Sequence, residues 1–135
     1  MYNIAKAVGS FRPNQTEDVK LIQSLLKTLK QVGDPNLEGT GAITVTGVFT
    51  PTLGQTILTY QKKCVSNGAT MVMDGVVDPL PSKSGLEGDW DKTYGSGAMS
   101  TLSVLCYRLF RKSPNLYFKI GEELNLPWKP DPFKE

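Results

Sequence analysis

Apolar residues recur at helical spacing in four stretches of the chain. Val19, Ile22, Leu25, Leu26 and Leu29 form one stripe, with Lys20, Lys27 and Lys30 largely on the other side. This spacing predicts a helix over residues 15–32. Asn14 and Glu17 have the spacing of a capping box, and Gly33 supplies the stop. Leu53, Ile57, Tyr60 and Cys64 make the inward stripe of a second helix, from Pro51 to about residue 65. Gly54 lies inside it and costs about 1 kcal/mol relative to alanine unless it admits a close contact. Met99, Leu102, Leu105, Cys106, Leu109 and Phe110 predict a third helix over about 97–112. Arg108, Arg111 and Lys112 sit at its end, where cations suit the helix dipole. Ser113-Pro114 opens a fourth helix, about 114–124, carrying Leu116, Tyr117, Ile120 and Leu124, with Gly121 as a weak point.

The intervening segments lack that period. Residues 1–13 form an apolar arm through Ile4, Ala7, Val8 and Phe11, expected to pack on the domain. Residues 34–41 are polar and turn-rich. Two short apolar pieces, 43–45 and 71–73, are expected to pair as a minor β ribbon. Residues 80–96, with Pro81, Gly85, Gly88 and Gly95, read as one long loop of the kind usually functional or mobile. Its Trp90 and Tyr94, among adaptable polar groups, suit contact with a protein or glycan, or Trp90 folds back onto the core. Three prolines between 127 and 132 exclude a helix from the tail, whose Trp128 is read as a pin to the domain.

One stretch occurs twice. Thr46-Gly47-Val48-Phe49-Thr50-Pro51 and Asp74-Gly75-Val76-Val77-Asp78-Pro79 match in chemical type at all six positions, 28 residues apart. Glycine allows the positive φ of a sharp turn. The apolar pair plugs the core beside it. Thr50 or Asp78 offers an oxygen to free N–H groups, and the proline that follows is pre-set for a first helical position. Each copy is therefore read as a corner that closes one element and starts the next.

Composition narrows the chemistry. The chain of 135 residues suits a single domain over 1–135, its core about 14–112 and its C-terminal extension 113–135. A net charge of +2, with no basic cluster interleaved with aromatics, gives no pull toward nucleic acid. No apolar run is long enough to span a membrane. The first residues lack a signal-peptide apolar region, so the chain is expected to stay inside the cell or to leave by a route that cleaves no such peptide. There is no histidine, which removes the commonest general base and zinc ligand. Cys64 and Cys106 read as buried thiols, a disulfide being the alternative. Asp74 with Asp78, and Asp89 with Asp91, could in principle act as paired acids or hold a hard cation. The simpler reading is that the first pair holds turn backbone and the second is solvated. No catalysis, cofactor or metal is expected.

The stretch from Glu17 to Pro79 resembles the peptidoglycan-binding-like domain of bacterial cell-wall enzymes. Residues 18–26, Asp-Val-Lys-Leu-Ile-Gln-Ser-Leu-Leu, are similar to its first helix. Residues 47–51 followed by Thr56-Ile57-Leu58-Thr59-Tyr60-Gln61 resemble its central turn and second helix, and residues 74–79 its second turn. The match covers about half the chain. That family usually has Asp at the position of Thr46, Gly at those of Thr50 and Asp78, and a third helix closer to the second turn. The resemblance implies an all-α, three-helix orthogonal bundle with a minor ribbon, followed here by a C-terminal helix and Pro-rich tail. It also implies non-catalytic binding of peptidoglycan or its fragments in a shallow groove, with Thr46, Thr50, Tyr60, Gln61, Asp74 and Asp78 as candidate contacts. Short oxygen groups beside an aromatic face suit such a ligand. Location in the envelope, or secretion, would follow. The rival reading is a protein-interaction module that reuses the fold in a secretion, toxin or phage assembly, in which case a cytoplasmic location is open.

Overall fold

A computed structural model describes residues 2–80 and 100–126. Among these the architecture is all-α, with four helices: α1 (Thr16–Gln31), α2 (Pro51–Ser66), α3 (Thr101–Lys112) and α4 (Pro114–Glu123). One short 3-10 turn, Pro35–Leu37, follows α1. The apolar stripes explain the packing. α1 packs against α3 and α4, α3 against α4, and the 3-10 turn against α2. Leu21, Ile22, Leu25, Leu26 and Leu29 of α1 meet Ile57, Tyr60, Leu102, Leu105 and Leu109 in one continuous core. None of these helices is long and apolar enough to cross a membrane.

Helix boundaries follow local chemistry. Gly33 (φ +81°) closes α1 in a left-handed turn, with its N–H bonded to Lys30 O. Thr50 caps α2 by accepting from Leu53 N–H, and Ser113 caps α4 by accepting from Leu116 N–H. α3 begins only at Thr101, four residues later than expected, because Ser100 caps it by accepting from Ser103 N–H. The expected box at Asn14 is not formed. Asn14 is itself left-handed (φ +50°), and its amide grips Gly9 through N–H and C=O, both at 2.8 Å. The residue that flanks α1 is Gln15, without a side-chain cap. Gly54 does serve a close approach, since a Cβ there would lie 2.9 Å from the Phe49 ring.

The N-terminal arm belongs to the core rather than lying against it. Tyr2, Ile4 and Val8 are buried with Tyr117 and Ile120 of α4, so the core exceeds the expected 14–112 at both ends. The Tyr2 and Tyr117 rings stack at 4.6 Å. Tyr2 Oη donates to Tyr117 O at 3.0 Å and accepts from Gly121 N–H at 3.1 Å. Gly121 is what makes room, because a Cβ there would sit 2.5 Å from that hydroxyl. The buried Asp18 carboxylate accepts from Ala5 and Lys6 N–H, each at 3.0 Å, and ties the arm to α1. Phe11, expected to pack, is fully exposed at φ +59°, on the outside of the turn that Asn14 fixes. The expected pairing of 43–45 with 71–73 does not appear among the described residues. Residues 43–45 have no β-bridge, and the arm supplies a pairing instead, Val8 with Val77.

Cys64 and Cys106 are free and buried, which resolves the alternative left open by their spacing. Burial raises the Cys64 thiol to about 11 and that of Cys106 to about 12. Thiolate is the reactive form, so neither thiol should react with Ellman's reagent at pH 8 until the chain unfolds, when both should. Rapid labelling of the native protein would contradict this burial. The sign of the linkage is also fixed. Both native values lie above the unfolded value near 9.0. The stabilisation is complete below that pH and is lost as pH rises through the native values.

Candidate functional site

The two repeated corners are built by the same device, a buried glutamine on the preceding helix. In the first, Gln23 Oε1 accepts from the N–H groups of Thr46 and Gly47, both at 2.8 Å. Its Nε2 donates to Thr46 Oγ1 at 3.1 Å and Val48 O at 3.3 Å. In the second, Gln61 Oε1 accepts from Asp74 N–H at 3.2 Å and Gly75 N–H at 2.8 Å. Its Nε2 donates to Val76 O and to Thr101 Oγ1, both at 3.0 Å. A side-chain amide has one acceptor and two donors, the set needed to close a short loop whose backbone points inward. Gln61 does more than Gln23, because Thr101 opens α3 and is thereby fastened to α2.

The rest of each corner matches too. Gly47 and Gly75 have φ of +79° and +72°. The first-position oxygen folds back on the third-position N–H, Thr46 Oγ1 to Val48 at 3.2 Å and Asp74 Oδ1 to Val76 at 3.0 Å. Each glycine seats on the helix that carries its glutamine, at the positions three and seven residues before it. Gly47 faces Lys20 and Thr16, and Gly75 faces Leu58 and Gly54. A helix places such positions on one surface. Helix and corner thus repeat as one unit.

The copies diverge from the third side chain on: Val76 and Val77 are buried as expected, whereas Val48 is 61% exposed and only Phe49 of that pair packs inward. Thr50-Pro51 starts α2, whereas Pro79 and Leu80, the described residues after Asp78, are not helical. The reason lies in the arm. Val77 exchanges backbone hydrogen bonds with Val8 at 2.9 and 3.0 Å, and Leu80 N–H bonds to Asn3 Oδ1 at 2.8 Å. The arm thus holds the chain on both sides of Asp78-Pro79, and Pro81, three residues after Asp78, has no N–H for it to cap; the Asp78 side chain is left exposed.

These contacts sort the candidate residues. Thr46, Thr50, Asp74 and Asp78 are exposed, so the corners present four oxygen-bearing side chains to solvent. Tyr60 and Gln61 are both 0% exposed and spent on internal bonds, out of reach of a surface ligand. Tyr60 Oη points to Asp34 Oδ2 at 3.4 Å. Burial, then the nearby Cys64 and Asp34, push the Tyr60 hydroxyl well above its ordinary value, so it stays protonated. Asp34 is a hub that was not foreseen. Its carboxylate takes Arg108 Nε at 2.9 Å, Arg108 Nη2 at 2.8 Å and Asn36 N–H at 2.9 Å. Arg108 is in turn held above its ordinary value, chiefly by that hydrogen-bonded carboxylate. Trp90, Tyr94, Asp89, Asp91 and Trp128 lie outside the described residues. Among those described, no group of acidic or thiol side chains is placed to hold a metal ion. No family model matches this chain, and no significant match was found among curated proteins or among solved structures.

Proposed function

We propose that the chain is a non-catalytic module that binds bacterial cell-wall polymer through the surface of its two corners, in a bundle of the peptidoglycan-binding-like type. The observation that carries this reading is the paired corner: two rigid turns of one design, each offering short oxygen groups at its rim. Glutamine clamps fix the backbone at 46–48 and 74–76, so less freedom is lost there on binding. Wall fragments present hydroxyls and amides that such oxygens can meet. Tyr60 and Gln61 serve as scaffold in this reading, and Thr46, Thr50, Asp74 and Asp78 as contacts. The test is co-sedimentation with purified sacculi. The wild-type chain should be retained. Asp78→Ala, which removes an exposed side chain, should lower retention several-fold with an unchanged melting temperature. Failure of the wild type to sediment would remove the proposal.

A second reading, a protein-interaction module, draws on a different observation. Val48 lies within the first corner, Val72 and Met73 just before the second, and they are 61%, 60% and 48% exposed. Apolar side chains at a rim suit a protein surface better than a glycan. Under this reading Val48→Asp and Met73→Asp abolish capture of a partner, and sacculi retain nothing.

A further inference from the structure

A second surface feature lies at the far end of α1 from the first corner. The corner seats at Thr16 and Lys20, whereas this cleft begins at Leu29, roughly 15 Å along the helix. It is an open cleft of about 370 Å³ between the C-terminal ends of α1 and α3. Leu29, Val32 and Pro35 give it apolar walls, and Arg108, Arg111 and Lys112 bring three cations. Its carboxylate, Asp34, is 3% exposed and already engaged by Arg108. Arg111 and Lys112 have no ion-pair partner among the described residues.

Two features exceed what a helix end requires. Cations near a C-terminus are favourable for the dipole alone, but that effect asks for no concavity and no fixed geometry. Here both arginines are held in place. Arg108 spends Nε and Nη2 on Asp34, which leaves the N–H groups of Nη1 unspent. Arg111 Nη1 donates to Tyr107 Oη at 2.5 Å, with its guanidinium 5.4 Å from the Tyr107 ring centre. Guanidinium groups held in advance recognise carboxylate and phosphate oxygens with little entropic loss. The volume falls in the range of small-molecule sites.

We propose that this cleft binds an oxyanion, a carboxylate or a phosphate, carried on a small and partly apolar molecule. Arg111 and Lys112 engage the charge, Arg108 adds its free edge, and the body of the ligand lies on Leu29, Val32 and Pro35. The site is independent of the corners, and a chain that fails to sediment with sacculi still has it.

The experiment is a titration of the full chain at low ionic strength, followed by amide chemical shifts. The probes are N-acetyl-leucine, its uncharged amide, and inorganic phosphate. N-acetyl-leucine should move amides of residues 29–34 and 107–112 saturably, while the amide analogue leaves them in place. Saturation by N-acetyl-leucine alone assigns a carboxylate ligand, and saturation by phosphate as well assigns any oxyanion. Both results support the site. The Arg111→Gln, Lys112→Gln double variant touches only exposed side chains and should weaken binding about tenfold with shifts elsewhere unchanged. Unsaturable or scattered shifts, equal response to the uncharged amide, or an unaltered affinity in the double variant would overturn it.

Discussion

Replacing Gln61 with leucine is expected to cost the fold about 3–4 kcal/mol, measured as a shift in urea midpoint at unchanged slope. The side chain keeps its volume, so cavity formation is a minor part of the loss. What is lost is hydrogen bonding inside the protein. Gly75 N–H and Val76 O would both face a hydrocarbon, and Thr101 Oγ1 would lose its donor. Each buried polar group left without a partner costs about 1–3 kcal/mol. Gln23→Leu repeats the experiment in the other copy with a smaller loss, about 2 kcal/mol, because Thr46 and Val48 are exposed and water can replace the amide. The order of the two variants is the sharper test. Equal losses would mean that the bond to Thr101 contributes nothing to holding α3.

The second large effect is expected at Asp34. Asp34→Asn removes the charge that faces Arg108 and turns an acceptor into a donor at a site 3% exposed. Breaking a buried ion pair costs about 3–5 kcal/mol, but Arg108 is 37% exposed and keeps part of its hydration. That lowers the expectation to about 2–3 kcal/mol. A double variant, Asp34→Leu with Arg108→Met, should lose less than Asp34→Asn alone, since no charge is stranded. A double-mutant cycle by urea denaturation measures this coupling. A coupling near zero would mean that the carboxylate serves Asn36 N–H and the Tyr60 hydroxyl and gains nothing from Arg108.

The helices were legible because their apolar residues obey one local period. α1 and α2 end within about one residue of where their stripes and stop signals put them. The two glycines were legible as well, since few other residues accept that backbone. Gln23 and Gln61 appeared in the sequence only as parts of a resemblance, although a physical signal was present. Each is a polar residue on an otherwise apolar helix face, flanked by the buried Val19 and Leu26 or by Ile57 and Cys64. A glutamine so placed must find partners within the core. The Asp34–Arg108 pair gave no such signal. Its members are 74 residues apart, one in a turn and one at a helix end, and each has a sufficient local reading there. Asn14 misled because capping spacing is shared by any turn that stands before a helix. Its amide was taken by Gly9 through a contact that only the folded arm creates.

The docking of Tyr2 beside Tyr117 also has a consequence for the order of assembly. The two residues are 115 positions apart in the chain. During synthesis Tyr2 is made 115 residues before the tyrosine that receives it. Both corners and their glutamines are complete in sequence by residue 76, with only the Gln61 bond to Thr101 made later, and α4 follows both. Closure of so distant a contact is slow relative to local pairing. The growing chain therefore carries both corners while Tyr2 is still unmoored, and it is the later-made α4 that fastens it.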